Sequence, residues 1–314
     1  MDPPCPGAPR PGDPLEPGVA GRRALFGGRR CGIFAPMLDR EMEIARRLIL
    51  EAGALVMARY GKVAGEAKAA GEPVTEADRV ANAHLVQGLR EAFPDDGILA
   101  EESAPRPEWW RKRRVWCIDP IDGTKEYIKQ NGEFAVMIGL ADGKEAVLGL
   151  VLLPAQDLLY YGGPKLGAFR ERLGEGFAPA APEPIHVSEE REFSRMRMAI
   201  SRSHRSALVG EMAERLGVRH EIQRGSVGIK LGLVASGEVE LYLHPSAGTK
   251  RWDACGPDAI LKGAGGRLTD FYGRPIDYDS SEVQNRAGLL ASNGTRHDEI
   301  VALLRPIAEA AGLK

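Results

Sequence analysis

One segment constrains this chain more than any other: Val115–Thr124, VWCIDPIDGT. An apolar strand, Val115–Ile118, runs straight into two carboxylates, Asp119 and Asp122. Pro120 holds Asp119 in an extended backbone, and Gly123 permits a sharp turn. Carboxylates at the end of a buried strand are costly unless a cation or hydrogen-bond donors offset their charge. Hard cations such as magnesium take oxygen ligands of this kind, including backbone carbonyls like that of Ile121. Thr124 falls at a helix start, where free amides and the helix dipole favour an anion. The same string also reads as two turn-forming aspartates, since Asp and Gly are common in turns.

Three further segments place acids at element ends. Ala100-Glu101-Glu102-Ser103 closes a strand, and taken alone it reads as a solvated loop. Trp252-Asp253-Ala254-Cys255 opens a late helix, where Asp253 alone reads as an N-cap. Glu72–Asp78 opens an early helix, where Thr75 and Asp78 form a capping-box variant. Each plain explanation holds singly. Four such segments together point to a multi-metal site.

The surrounding pattern is that of layered helices and sheets. Apolar positions Ala45, Leu48, Ile49, Ala52, Leu55 and Val56 predict a helix from Asp39, ended by Gly61. A second helix is predicted from Thr75 to Phe93. Strands are predicted at 97–100, 115–118, 134–140, 147–153 and 158–161. The Pro-rich run Ala181–Pro184 reads as a connection between an N-terminal domain, 37–184, and a C-terminal domain, 185–314. In the second part, strands at 196–201, 239–243, 267–271 and 288–291 alternate with helices at 206–216, 226–236, 253–263 and 297–311.

Residues 1–36 hold eight prolines and seven glycines. Such a composition cannot bury enough apolar surface to offset its ordering entropy, so a disordered leader is expected. A transit peptide fits poorly with Asp2, Asp13 and Glu16, and translation from Met37 is a second reading. The formal net charge is -2, which argues against a nucleic-acid polymer as partner. No apolar run has membrane-spanning length. Cys5, Cys31, Cys117 and Cys255 form no C-x-x-C pair, so reduced thiols and a cytoplasmic location are expected. Cys117 and Cys255, two residues from acids, read as small packing residues.

The strings EES at Glu101–Ser103, DPIDGT at Asp119–Thr124 and WDAC at Trp252–Cys255 occur in this order, and the chain resembles the inositol monophosphatase superfamily over residues 39–311. It is most similar to the 3'(2'),5'-bisphosphate nucleotidase, CysQ-type branch, on GTKEYIKQNGEFAV, SRSH, GSVGIK and TKRWDACGPDAIL. The resemblance implies a five-layered α-β-α-β-α sandwich of the inositol monophosphatase and fructose-1,6-bisphosphatase type. It implies a lithium-sensitive, magnesium-dependent phosphatase with two or three ions, acting on a phosphorylated nucleotide in sulfate assimilation, as a monomer or homodimer. Glu101, Asp119 and the Ile121 carbonyl would hold one ion, and Asp119, Asp122 and Asp253 a second. Asp78 and Thr124 would orient and deprotonate the attacking water. Gly123, Thr124, Lys125, Arg202, His204, Lys230 and Asp253 would contact substrate. Apart from the resemblance, Lys125 reads as an exposed helix lysine, the commoner fate of lysine, His204 as a loop histidine bonded to backbone, and Lys230 as a snorkelling lysine.

Two other readings share parts of the pattern. A haloacid-dehalogenase-type phosphatase uses D-x-D with a covalent aspartate, whereas the spacing here is D-x-x-D. A non-catalytic nucleotide-binding regulator on the same fold would have lost a ligand, and none is missing. Inositol phosphate and fructose 1,6-bisphosphate remain alternative substrates for the same chemistry. The sequence contains neither a G-x-x-x-x-G-K-[ST] loop nor a G-x-G-x-x-G fingerprint.

Overall fold

The computed structural model describes residues 38–62, 66–67, 73–104, 108–202 and 206–314, and Leu38–Lys314 forms one compact unit. The expected leader and His204 lie outside the described residues. In chain order the elements begin with α1 (Asp39–Met57), a short ribbon of β1 (Glu66–Ala67) and β2 (Pro73–Val74), and α2 (Glu76–Ala92). Then come β3 (Gly97–Ala100), β4 (Arg114–Asp122), α3 (Thr124–Ile128), β5 (Ala135–Asp142), β6 (Glu145–Leu153), β7 (Leu158–Gly163), β8 (Gly167–Arg172) and β9 (Glu183–Pro184). The remainder is β10 (Arg197–Ser201), α4 (Ala207–Leu216), β11 (His220–Arg224), α5 (Val227–Ala235), β12 (Leu241–His244), α6 (Arg251–Gly263), β13 (Arg267–Thr269), β14 (Leu289–Ser292) and α7 (His297–Ala310).

Strands β3 to β9 form a seven-stranded sheet in sequence order. Only the β3–β4 pair in it is parallel. A five-stranded sheet has the order β11-β10-β12-β14-β13, with β10 parallel to both its neighbours. Period-two alternation then sorts side chains into three cores. On β4, Trp116 and Ile118 join Leu48, Ile49, Leu85 and Leu89 of α1 and α2 in an outer core. Val115 and Cys117 face the other way, into a middle core with α5, α6 and the inner face of the second sheet. Met198, Ile200, Leu241 and Leu243 pack outward against α4 and α7. The result is the expected five layers, α-β-α-β-α.

The middle layer packs closely because glycines face each other across it. A Cβ on Gly149 of β6 would come within 1.9 Å of the Gly256 carbonyl on α6, and one on Gly139 of β5 within 2.4 Å of the Gly256 nitrogen. This approach seats α6, with Asp253 in its first turn, over the end of β4.

The structure moves several boundaries. Helix α1 ends at Met57, and Gly61 (φ +75°) sits beyond it in the turns after the helix. Glu183–Pro184 is not only a connection: it pairs with Phe169–Arg170 as the edge of the first sheet. Strands β8 and β11 are additions to the sequence-based reading.

Candidate active site

The site is built where β4 ends. In the alternation of that strand Asp119 falls on the middle-layer side, and it is buried. The ladder to β5 breaks between Asp119 and Asp122, so both carboxylates leave the sheet close together. Asp253 joins them from the first turn of α6, where its carboxylate accepts the Lys250 N–H at 2.5 Å. It is a first-turn acceptor, not the N-cap itself. One oxygen of each of Asp119, Asp122 and Asp253 lies within 4.8 Å of the others. Glu101, just past β3, stands beside them. The four line one cleft of about 480 Å³ together with Thr124 and Lys230.

Burial and mutual repulsion show in the acids. Burial pushes Asp119 well above the usual carboxylate range, and Glu101, Asp122 and Asp253 add to this. Burial raises Asp122 too, against the opposing pull of Lys230 and the Ser226 hydroxyl. Asp253 is pushed up to about 8, by burial first and then by Asp122 and Glu101. An all-oxygen donor set of this charge suits hard divalent cations, which would hold the deprotonated forms. The residues therefore fit a metal site.

Asp122 has dedicated supports. Its Oδ2 accepts the Ser226 hydroxyl at 2.5 Å and the Gly228 N–H at 2.7 Å, both from the start of α5. Ser226 also caps α5, accepting the Ile229 N–H at 3.1 Å. Asp119 accepts the Ile121 N–H at 3.0 Å, which draws its carboxylate into the turn.

Asp78 and Thr124 meet at the start of α3, with Thr124 on the cleft wall. Asp78 is fully buried, and its Oδ2 accepts both the Thr75 N–H at 2.8 Å and the Thr75 hydroxyl at 2.6 Å. The capping box is therefore real. It also aims Oδ1 at the Thr124 hydroxyl, 3.2 Å away. The same hydroxyl lies 3.2 Å from the Ile121 carbonyl. Burial raises the Asp78 pKa, against the lowering effect of the Thr75 and Thr124 hydroxyls.

Among the substrate-side candidates, Gly123 (φ +97°) forms the turn before α3, and the exposed Lys125 borders the cleft. Lys230 does not snorkel: it is 3% exposed, and its ammonium donates to the Gly225 and Ser226 carbonyls at 2.5 and 2.6 Å. Burial lowers its pKa to about 8, with Asp122 opposing. It sits 5.2 Å from the Tyr242 ring centroid. Arg202 is committed elsewhere, to a two-pronged pair with Glu133 at 2.6 and 2.7 Å. Cys117 and Cys255 are buried free thiols in the middle core. Sequence reasoning missed Ser226, Lys250, Trp252 and His244, all on the cleft wall. The GSVGIK and TKRWD strings were the signal for the first three.

The profile of the inositol monophosphatase family matches residues 37–309. The chain is 35% identical over 254 residues to the 3'(2'),5'-bisphosphate nucleotidase CysQ of Escherichia coli K12, covering 78% of this chain and 95% of that protein. It is 30% identical over 281 residues to a fructose-1,6-bisphosphatase/inositol-1-monophosphatase of Thermotoga maritima, covering 88% of this chain and all of that one. The solved inositol monophosphatase of Anabaena superposes with a TM-score of 0.70 at 28% identity, over 86% of this chain and 96% of that one. With the profile matching most of the chain and the fold shared with a solved member, the chain belongs to the inositol monophosphatase family.

Proposed function

We propose that the protein is a magnesium-dependent phosphatase that removes the 3'-phosphate of 3'-phosphoadenosine 5'-phosphate, releasing adenosine 5'-phosphate. The observation that carries the phosphatase reading is the convergence of Asp119, Asp122 and Asp253 within 4.8 Å, with Glu101 beside them and Thr124, tied to Asp78, on the same cleft wall. The nucleotide is favoured by similarity to relatives named 3'(2'),5'-bisphosphate nucleotidase, and by a buried lysine on the cleft wall in addition to the acid cluster.

Glu101, Asp119 and the Ile121 carbonyl would hold one magnesium, Asp119, Asp122 and Asp253 a second, with a looser third near Glu101. Bound there, the ions supply positive charge to the phosphate oxygens and lower the pKa of a water. Thr124 presents its hydroxyl to the attacking water and is itself tied to Asp78. A buried carboxylate with a raised pKa is suited to take up the water's proton through that hydroxyl. The water oxygen forms the new P–O bond, the bond to the 3'-oxygen breaks, and the leaving oxygen picks up a proton from solvent. No enzyme–phosphate bond is needed. Lithium is expected to inhibit by competing at a magnesium position, and the reduced thiols fit a cytoplasmic setting.

Lys230 is the described candidate for the 5'-phosphate that lines the cleft, two of its three protons being engaged by carbonyls. Lys230→Ala should raise KM for the bisphosphate about tenfold, as expected for losing a charged hydrogen bond. It should raise KM for a substrate with one phosphate much less. Equal effects on both substrates, in a variant that melts as the parent does, would remove Lys230 from the 5'-phosphate. Full turnover in excess chelator would remove the metal mechanism altogether.

A further inference from the structure

We infer that Glu133 is a positioning residue: it fixes the Gly225–Ser226 turn that clamps Asp122, and it docks Arg202 beside that turn. Glu133 lies in the NGEF string between α3 and β5, outside the acid cluster. Its carboxylate accepts Arg202 through Nε and Nη2 at 2.6 and 2.7 Å, and also the Gly225 N–H at 2.8 Å. Arg224 stands 4.0 Å away. The Glu133 backbone carbonyl fills the space where side chains would otherwise lie: a Cβ on Gly225 would meet it at 2.3 Å and one on Gly123 at 3.1 Å. The residue is thus wedged between the turn that opens α3 on the first sheet and the turn that opens α5.

The turn held by Glu133 leads directly to the metal site. The Gly225 carbonyl accepts the Lys230 ammonium at 2.5 Å. Ser226 has φ +35°, a conformation that a non-glycine residue keeps only when its surroundings impose it. From that backbone its hydroxyl reaches Asp122 at 2.5 Å, while Gly228 donates to the same oxygen at 2.7 Å. Holding the Gly225 N–H is therefore a direct way to hold Ser226, and through it one carboxylate of the metal site. The Arg202 pair alone would be a rim ion pair of small worth. The bond to Gly225 is of another kind, because the Glu133 side chain is only 13% exposed. Burial pushes the Glu133 carboxyl up, yet Arg202 and the Gly225 N–H together hold it below its usual range.

The role of Glu133 rests on the metal-site reading of the acid cluster, but not on the identity of the substrate. Its test uses the full chain and Mn2+ as a spectroscopic divalent ion, with binding followed by electron paramagnetic resonance in the absence of nucleotide. Loss of a partner that orients a metal ligand commonly weakens affinity about 10- to 100-fold. Ser226→Ala and Glu133→Ala should each weaken Mn2+ binding by about tenfold. The double variant should bind no more weakly than Ser226→Ala alone, since residues acting through one path are not additive. Glu133→Gln keeps an acceptor for Gly225 and should bind Mn2+ as the parent does. Unaltered binding in Glu133→Ala, additive losses in the double variant, or a Glu133→Gln as weak as the alanine would each overturn the inference. Should Glu133→Ala not fold, Glu133→Asp, which withdraws the carboxylate by one methylene, must show the same non-additivity with Ser226→Ala, and additive loss there overturns it equally. A wrong substrate leaves this result standing, and a wrong role for Glu133 leaves the substrate reading standing.

Discussion

Burial and its acidic neighbours push Asp253 up to about 8 in the folded protein, against 3.8 ordinarily, because they disfavour the charged form. The folded state then holds more protons than the unfolded one between those values. Without metal, this stability contribution is fully present below about 3.8 and is lost as pH rises through about 8. Magnesium favours the deprotonated carboxylates, so its stabilising effect should grow over the same interval. Melting temperatures between about pH 5 and 8.5 should fall in chelator, stay nearly level in magnesium, and diverge as pH rises. A constant gap would mean that the acids are not the metal ligands. Asp122→Asn should cut turnover by more than about 100-fold, the upper end for partners one step removed from a metal. It should also soften the cap of α5, because Asp122 Oδ2 accepts from Ser226 and Gly228. Asp119, Asp122 and Thr124 were legible because they share one short run with its own turn chemistry. Ser226 and Glu133 were not: their partners lie 104 and 92 residues away, and a serine or a glutamate in a polar string carries no local mark of that.

At the scale of elements, α6 depends on the absence of side chains beneath it. Gly149→Ala would drive its methyl into the Gly256 carbonyl at 1.9 Å, against backbone that has no side-chain rotation to yield by. We expect a loss of about 3 kcal/mol or more in denaturant unfolding, at or beyond the top of the usual overpacking range. Activity should fall as well, since α6 carries Asp253. A loss under about 1 kcal/mol would show that the helix can lift without cost. The long helices and central strands were readable because each has one apolar period and a clear stop. Strands β8 (GAFRER) and β11 (HEIQR) were not, because they carry charged residues in place of an apolar alternation. The edge strand β9 is two exposed residues that only pairing defines.

At the scale of the molecule, three cores account for the packing of Leu38–Lys314, and the family match begins at residue 37. A chain starting at Met37 should melt and turn over like the full one, because the Pro- and Gly-rich leader has little apolar surface to contribute. A large loss on truncation would show that the leader supports the enzyme. Among the described residues no helix is long and apolar enough to cross a membrane. The five layers were foreseeable from strand–helix alternation together with the family likeness; which candidate cation reaches the cleft was not, since Arg202 turns to Glu133 while Lys230 lines the wall. The most direct test of the central claim is kcat/KM for phosphate release, with magnesium, from 3'-phosphoadenosine 5'-phosphate, inositol 1-phosphate and fructose 1,6-bisphosphate. The account predicts the highest value for the nucleotide, with adenosine 5'-phosphate as its product. A higher value for inositol 1-phosphate or fructose 1,6-bisphosphate, or release of the 5'-phosphate instead, would contradict it.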